Sequence, residues 1–327
     1  MFRDVFAAFA ALVFLFTSMT WAQAYNQWEH HFPKTNFANS SIDFAEVLTY
    51  GAPNSIPPID DPVFKRVRQL GNIGALEPVV SIDINGDKRA YPIRVLLFHE
   101  IVNDVVGGVP VVVTYCAFCN SAIVFDRRVK EEVLDFANTG TYRHFGMVMY
   151  DKQSQSWWQQ FIGQAVVGDR LGQELKSLPA RMESLEKFRQ RVPDGLVLVP
   201  NASGAYPYGK TNYSGYAEPV SPQLAAQRYP YDIPEGINPM ARVVIVGDAA
   251  WSVDLVRAAG RIETDAYILT WEPGQNSVYH GRTISDGLDV GNILVQHKSA
   301  GVLQDVRYEV SFAFVFAAFV PDGTWHL

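Results

Sequence analysis

Cysteine is scarce in this chain: Cys116 and Cys119 are the only two among 327 residues. This scarcity excludes a four-cysteine zinc ribbon and an all-cysteine iron–sulfur centre within one chain, because each needs four thiolates. A metal ion held by the pair must take its other ligands from His, Met or carboxylate side chains. The pair therefore leaves three alternatives, namely a disulfide, a redox couple or half of a metal site.

Clusters of basic residues are also missing, and the net charge at pH 7 is −7. Nucleic acid and anionic membrane surfaces are therefore poor candidates as partners. The sequence contains no glycine-rich phosphate loop and no G-x-S-x-G motif, and "HEIVN" (99–103) has Asn103 where H-E-x-x-H needs its second histidine. These absences argue against nucleotide chemistry, a serine hydrolase and a zincin-type protease. Whether the protein is an enzyme stays open.

Long apolar runs are few, and one of them lies at the N-terminus. The run from Val5 to Phe16 precedes "WAQA" (21–24), whose alanines fit the cleavage site of a secretory signal. We therefore predict a signal peptide over residues 1–24, cut after Ala24, with an uncleaved anchor as the alternative. The mature protein would be periplasmic or secreted, in an oxidising compartment, with no stable membrane span after cleavage.

Short alternating segments dominate the rest of the chain. "VVSIDINGDKRAY" (79–91) and "VVGGVPVVV" (105–113) are typical of hairpins with tight turns. This pattern predicts a mainly β fold, a β-rich α+β class with short-stranded antiparallel sheets and few helices. We assign "RAYPIRVLLF" (89–98) and "VSFAFVFAAFV" (310–320) to strands, and place one helix within "ARMESLEKFRQRVP" (180–193).

The domain organisation follows from shifts in composition. Residues 25–60 are rich in Asn, Ser and Pro and are predicted to form an irregular lead-in, followed by a single domain over 61–327. "ARVVIVGDAAWSVDLV" (241–256) resembles "EPVVSIDINGDKRAYPIRVL" (77–96), which is consistent with two diverged β-rich halves, about 61–215 and 216–327. The alternative is that two β segments share turn chemistry. A duplication would leave the thiols in one half only.

The context of the cysteines, "VTYCAFCNSAIVFDR" (113–127), predicts a strand, a turn and a second strand. A thioredoxin-type couple instead opens a helix whose N-terminus stabilises the thiolate, so that form is disfavoured. A disulfide that closes so small a loop removes little entropy from the unfolded chain. The leading hypothesis is a metal knuckle. An inert disulfide in a binding protein and a non-thioredoxin thiol–disulfide enzyme are the alternatives.

The candidate metal ligands are His99, Cys116, Cys119 and Met149. His99 ends an apolar run one predicted strand before the knuckle, and Met149 lies in "GMVMYDK" (146–152), where His144 just upstream is a rival. Two thiolates, an imidazole and a thioether suit copper, with zinc as the alternative, and imply a metal donor as a partner. Both His99 and Met149 are equally compatible with ordinary core positions.

The roles of several further polar residues have two interpretations each. Glu100 is a hydrogen-bond acceptor or general base near the site, or the ion-pair partner of Arg89 or Arg94. The cluster in "SWWQQ" (156–160) lines a pocket for a small-molecule ligand, capped by tyrosines of 201–216, or is plain packing. The cluster consists of Trp157, Trp158, Gln159 and Gln160.

The motifs resemble those of the domain of unknown function 3179 family, found in secreted bacterial and archaeal proteins. That family shows RAYP, HEIVND and TYCPLC followed by FDR, and this chain has "RAYP" (89–92), "HEIVND" (99–104), "TYCAFC" (114–119) and "FDR" (125–127). The resemblance covers about residues 45 to 325 and implies that His99, Cys116, Cys119 and Met149 match positions the family retains. Ala117 and Phe118 replace the usual Pro-Leu, which should alter the turn and not the ligand set.

Overall fold

Strands make up 40% of the structure and helices 17%, so the predicted β-rich fold with few helices is confirmed. The computed structural model describes residues 27–71, 73–201, 205–299 and 301–327. The predicted signal peptide lies outside these ranges. Within them, no helix has the length and apolar character needed to cross a bilayer.

The elements are short throughout. The strands are β1 (Val47–Thr49), β2 (Val63–Arg66), β3 (Pro78–Ile84), β4 (Asp87–Pro92), β5 (Ile101–Val106), β6 (Val109–Cys116), β7 (Ser121–Asp126), β8 (Arg128–Val129), β9 (Glu132–Val133), β10 (Phe136–Arg143), β11 (Gly146–Asp151), β12 (Trp157–Gln159), β13 (Gln164–Val167), β14 (Ser177–Leu178), β15 (Arg181–Ser184), β16 (Leu196–Val199), β17 (Arg242–Val246), β18 (Ala249–Ser252), β19 (Arg261–Glu263), β20 (Tyr267–Glu272), β21 (Asn292–Ser299), β22 (Val302–Asp305), β23 (Glu309–Phe312) and β24 (Thr324–His326). Five helices are α1 (Ile93–His99), α2 (Leu185–Arg191), α3 (Pro222–Arg228), α4 (Val253–Ala259) and α5 (Ala313–Phe319), with 3₁₀ turns at Phe44–Glu46, Val67–Gln69 and Ile284–Asp286. Residues 27–31 are also helical.

The strands form small sheets arranged in a ring. Most neighbouring strands are antiparallel; the β4–β16 and β18–β24 pairs are parallel. The sheet orders are β1-β10-β11-β12-β13, β14-β7-β6-β5, β15-β3-β4-β16-β2, β23-β17-β18-β24 and β19-β20-β21-β22, with β8 and β9 as a separate pair.

Two of these sheets share one strand order and one register. β15-β3-β4-β16 and β23-β17-β18-β24 each end in the parallel pair. Residues 78–81 pair antiparallel with residues 181–184. Residues 242–245 pair with residues 309–312 in the equivalent register. Each set also has a short helix directly after the equivalent strands, α1 and α4 after β4 and β18, and α2 and α5 after β15 and β23. This correspondence favours a diverged duplication over shared turn chemistry.

The correspondence extends to β5-β6-β7-β14 and β19-β20-β21-β22, which are all antiparallel. The two sheets differ in one connection. β21 ends at Ser299 and β22 begins at Val302, whereas residues 127–176 separate β7 from β14. These extra residues build β10 to β13, so the inserted sheet belongs to the first set alone.

Two apolar segments assigned to strands are partly helical. The segment 89–98 begins as β4 and turns into α1 at Ile93, and the segment 310–320 begins in β23 and becomes α5 at Ala313. Both helices are buried on most sides, so their sequences are apolar apart from Arg94 and the terminal His99, and such runs look the same as a buried strand. The predicted helix within 180–193 is present from Leu185, whereas Met182 lies in β15.

The described part of the lead-in has few regular elements, and its aromatic side chains belong to the core. Trp28, Phe32 and Phe37 are each 4% exposed or less. They surround Trp157 of β12, with ring centroids 5.3, 5.4 and 5.3 Å away. The lead-in is therefore held to the inserted sheet by aromatic packing.

Candidate functional site

The two cysteines lie at the tip of the β6–β7 hairpin and form a disulfide. β6 ends at Cys116, β7 begins at Ser121, and the two cysteine Cα atoms are 5.5 Å apart. Both cysteines are fully buried. The predicted strand–turn–strand context is present. An oxidised pair is expected both for an inert disulfide and for the resting state of a redox couple.

Three hydroxyl groups hold the backbone of this turn, each donating to a successive carbonyl oxygen. The bonds are Tyr279 Oη to Ala117 O at 2.6 Å, Tyr216 Oη to Phe118 O at 3.0 Å and Ser311 Oγ to Cys119 O at 2.6 Å. Tyr216 belongs to the connection between the two sets of sheets, and the other two donors belong to the second set. The second half of the chain therefore fixes the turn that carries the cysteines of the first.

Asn120 ends the turn with left-handed backbone, at φ 51°. Asparagine adopts this conformation at lower cost than most residues other than glycine. Its side chain accepts a hydrogen bond from Tyr115 Oη at 3.3 Å and donates to Val310 O at 3.3 Å. The hydroxyls of Tyr115 and Tyr279 lie 3.0 Å apart, so polar contacts continue from the turn into the interior.

A buried carboxyl group lies on the neighbouring strand. Glu100 is 1% exposed and follows α1 with a left-handed backbone, at φ 55°, which is uncommon for this residue type. Its carboxyl group accepts hydrogen bonds from Asn138 Nδ2 and from Tyr142 Oη, the latter at 3.0 Å. Backbone strain and a buried ionisable group at one residue are typical of functional positions.

Glu100 does not pair with either arginine considered from the sequence. Arg89 binds two aspartates, and Arg94 binds Glu77. In the described ranges, Glu100 has no ion-pair partner. Burial, the largest cause, raises the pKa of Glu100 to about 7, against the lowering effect of the hydrogen bonds from Tyr142 and Asn138.

Strand pairing brings Glu100 next to the cysteine turn. The backbone N–H of Tyr115 donates to Glu100 O at 2.8 Å, so Glu100 lies opposite the residue that precedes Cys116. On the other side, the ring of Tyr142 lies 5.0 Å from that of Phe118, which stands between the two cysteines. The carboxyl group and the disulfide turn are thus joined through both backbone and side-chain contacts.

Aromatic rings lie over the turn, and we refer to them as the aromatic cover. Phe118 is half-buried, and four tyrosine rings have centroids within 5.6 Å of its ring: Tyr50, Tyr142, Tyr213 and Tyr216. Tyr50 is 42% exposed. The cover therefore connects the buried cysteine turn with the protein surface.

His99 is the last residue of α1, and its ring has two protein partners. Nδ1 lies 2.9 Å from Pro57 O, and Nε2 lies 2.9 Å from Tyr208 Oη. Burial lowers the pKa of His99, which favours the neutral imidazole. Metal binding through this ring would require release of one of these two contacts.

Met149 is fully buried in β11, opposite Asn138 of β10 and Trp158 of β12. Its side chain belongs to the same hydrophobic cluster as Cys116 and Cys119. Among the residues that the structure describes, no three or more His, Cys, Asp or Glu side chains converge as a metal site. The structure thus brings Met149 and the cysteines into one core and ties His99 to other partners.

His144, the rival ligand, lies in the β10–β11 turn. Its Nδ1 is 3.1 Å from Tyr231 Oη, and its Nε2 is 3.3 Å from a carboxylate oxygen of Glu46. The carbonyl oxygen of the next residue, Phe145, lies 3.6 Å from Cys116 Sγ. The turn therefore adjoins the disulfide, while the imidazole contacts a glutamate and a tyrosine.

The four residues considered as a pocket lining are all fully buried. Trp157 packs against the lead-in, and Trp158 Nε1 donates to Asp151 Oδ2 at 3.0 Å. Gln160 Nε2 donates at 3.0 Å to Oγ1 of Thr114, which lies in β6, the strand that leads into the cysteine turn. These contacts fit the reading of the cluster as interior packing.

The partners of Glu100 and of the turn carbonyls were not among the sequence-based candidates. Asn138 and Tyr142 come from the inserted sheet, and Tyr279 and Ser311 from the second half of the chain. Strand register and the packing of the two halves decide these contacts. The available signal was the unusual density of polar residues in "FANTGTYR" (136–143), which is buried except for its last residue.

Two buried glutamates should make the folded state less stable as pH rises above about 4.5. Burial raises the pKa of Glu100 to about 7 and that of Glu309 to about 8, from the ordinary value of 4.5. Between its two pKa values each carboxyl group binds more protons in the folded state, so stability falls across that window and levels off above it. Glu100→Gln should remove the fall between about pH 4.5 and 7, roughly 3 kcal/mol.

Urea unfolding at pH values between about 5 and 8.5 measures this effect. Glu309→Gln is the matched variant, because it should instead remove the fall that extends to about pH 8. Wild-type protein whose stability does not decline over this range would contradict the assignment.

The chain matches a family model described as "Protein of unknown function (DUF3179)" over residues 53–323. That range includes the cysteine turn, Glu100 and all three hydroxyl donors. No curated protein and no solved structure matches the chain. The description names no activity, so function has to be argued from the site itself.

Proposed function

The chain belongs to the DUF3179 family, and we propose that it is a thiol–disulfide redox protein of non-thioredoxin type. Cys116 and Cys119 cycle between disulfide and dithiol. Glu100 donates a proton to the cysteine thiolate that is released and takes a proton back from the partner thiol. A periplasmic or secreted location, predicted from the N-terminal segment, is the compartment in which such a pair rests as a disulfide.

The observation that carries this proposal is a buried, uncompensated carboxyl group beside a disulfide of little stabilising value. Burial of a carboxyl group without a cation costs stability. A pKa of about 7 lets Glu100 donate and accept protons near neutral pH. The disulfide joins residues three apart, so it constrains the unfolded chain weakly. Neither the buried carboxyl group nor the short-range disulfide is explained by a contribution to the stability of the fold. Proton-coupled thiol chemistry requires both.

The proposed cycle transfers two electrons from a dithiol partner. A partner thiol loses its proton to solvent, and the thiolate attacks one sulfur of the pair. The S–S bond breaks, and the released cysteine thiolate takes the proton of the Glu100 carboxyl group. The second partner thiol gives its proton to the Glu100 carboxylate and attacks the mixed disulfide, so that the partner leaves as a disulfide. The second cysteine thiolate then takes a proton from solvent.

Exchange requires the aromatic cover to open, because both cysteines are buried. The contact that has to break is Tyr216 Oη to Phe118 O, since Tyr216 comes from an irregular connection and Phe118 stands between the cysteines. A single neutral hydrogen bond of this kind contributes about 1 kcal/mol, which thermal motion breaks readily.

A redox titration tests the proposal. Purified protein is equilibrated in mixtures of reduced and oxidised dithiothreitol, quenched with acid and labelled with a maleimide. Because the chain has only two cysteines, the added mass counts the reduced pair directly. We expect one reversible two-electron transition with the circular dichroism spectrum of the folded protein retained. The Cys116→Ser/Cys119→Ser variant is the unlabelled control.

A disulfide that is reduced only when the protein unfolds would overturn the proposal. That result would favour the alternative of a binding protein with an inert disulfide.

Copper binding by the reduced pair is a second candidate, with zinc as its close alternative. Its support is chemical: two thiolates suit a soft metal, and Met149, a thioether, is buried in the same extended hydrophobic core as both cysteines. Unlabelled protein that is reduced, freed of dithiothreitol, given Cu(I) or Zn²⁺ and then desalted tests this candidate. Stoichiometric metal that is lost in Cys116→Ser and reduced in Met149→Leu would support it. Metal-free wild-type protein would remove it and leave the redox proposal standing.

A further inference from the structure

A small polar cavity lies between the two sets of sheets, on the inner side of the cysteine turn. Its volume is about 20 Å³. Pro78 and Ile93 line it from the first set, and Arg242 and Val290 from the second. Its other polar lining residues are Tyr115, Asn120, Gln275, Asn276, Ser277 and Tyr279.

Arg242 brings an uncompensated positive charge to this cavity. Among the described residues its guanidinium group has one hydrogen bond, from Nη1 to Val290 O at 2.9 Å, and no carboxylate within ion-pair distance. The acidic residue that acts on it electrostatically, Asp254, has a side chain that is 82% exposed and pairs with Arg257. Burial lowers the pKa of Arg242 only to about 10, so the group is charged at neutral pH.

A partly buried guanidinium group with four unused donors calls for an acceptor of opposite charge. The remaining lining supplies neutral groups. Gln275 lines the cavity and is 3% exposed, and its Oε1 has no hydrogen-bond partner among the described residues. An amide oxygen and nitrogen can be exchanged by a simple rotation, which would point the two N–H donors of Gln275 into the same space.

We propose that this cavity binds a single halide ion, chloride under ordinary conditions, held by the guanidinium group of Arg242. The volume is close to that of one water molecule, so it admits a monoatomic anion and excludes phosphate or a carboxylate metabolite. The side-chain amide of Gln275, which lines the same cavity, supplies further neutral donors to the ion.

The ion site does not depend on the redox proposal, since it rests on Arg242 and the cavity alone. It is nevertheless adjacent to the cysteine turn, because Tyr279 lines the cavity and also donates to Ala117 O. Failure of the redox titration would leave the ion site standing, and failure of ion binding would leave the redox proposal standing.

Thermal unfolding of the wild-type protein at constant ionic strength tests the site. Sodium gluconate is replaced stepwise by sodium chloride, and the melting temperature should rise with the logarithm of the chloride concentration once that concentration exceeds the dissociation constant. Arg242→Gln should weaken the apparent chloride affinity by about 10- to 100-fold, as expected for loss of a charged hydrogen-bond donor. Arg191→Gln is the control, because Arg191 is paired with Glu183 and lies outside the cavity; it should keep the chloride response.

Crystals of the wild-type protein soaked in sodium bromide give a direct measurement that does not depend on the folding of any variant. An anomalous peak beside the Arg242 guanidinium group supports the proposal. A cavity that contains only water in bromide, together with a melting temperature that does not respond to chloride, overturns it.

Discussion

Replacing Glu100 with glutamine is expected to slow reduction of the Cys116–Cys119 disulfide by about 100-fold below pH 7, the low end of what general acid catalysis contributes. The reason is that the leaving thiolate loses its proton donor, while glutamine keeps the size and hydrogen-bonding capacity of the protonated acid. The rate is measured with dithiothreitol, divided by the concentration of its thiolate, and followed by maleimide labelling. For the wild type this normalised rate should fall as pH rises through about 7, since Glu100 ionises there. For Glu100→Gln it should be flat.

Two further variants distinguish a proton carrier from a merely structural residue. Tyr142→Phe removes a hydrogen bond that lowers the pKa of Glu100, so the midpoint of the profile should move to higher pH. Glu309→Gln removes another buried carboxyl group with a raised pKa and should leave the midpoint near 7. If Glu100→Gln and the wild type have the same normalised rate at every pH, Glu100 has no part in the exchange.

Truncation of Trp157 to alanine is expected to lower the free energy of unfolding by about 3–5 kcal/mol, the usual cost of removing a buried tryptophan. Trp157 is fully buried, and three rings of the lead-in pack against it edge-on. The alanine variant should release the lead-in, so limited proteolysis should cleave it near residues 27–45 before the rest of the chain. Urea unfolding gives the stability change.

Trp157→Phe is the matched control. The indole Nε1 of Trp157 is buried and has no hydrogen-bond partner among the residues that the structure describes, so phenylalanine removes an unsatisfied donor while keeping an aromatic ring. We expect a loss below about 1.5 kcal/mol and a lead-in that resists protease. Equal losses for alanine and phenylalanine would show that ring packing is not what holds the lead-in.

The hairpin around the cysteines was predictable because β6 and β7 flank a turn and β7 alternates in its sequence pattern. The helix α1 was not predictable, since its residues other than Arg94 and His99 are apolar, and a mostly apolar helix and a buried strand then look alike. This error matters for the site. The prediction of His99 as a ligand assumed a strand that would aim the ring at the cysteines, whereas the end of α1 aims it at Pro57 and Tyr208.

The hydrogen-bond partners of Glu100 could not be predicted from the sequence, for a different reason. Asn138 and Tyr142 reach its carboxyl group only because the inserted sheet packs beside β5. Tertiary packing decides which strands of different sheets come into contact. The local sequence pattern of a strand does not indicate these contacts. The motif "HEIVND" drew attention to the residue, and the structure supplied its partners.

The hydroxyl groups that hold the cysteine turn have a consequence for the order of events during synthesis. Ser311 follows Cys119 by 192 positions. At translation rates of 5–20 residues per second, the cysteines leave the ribosome roughly 10–40 s before the last of these hydroxyls exists. The nascent chain thus presents both thiols to any oxidant or isomerase it meets in that interval. After the C-terminal half has folded, the same atoms are reached only through the motions of Phe118 and its neighbours.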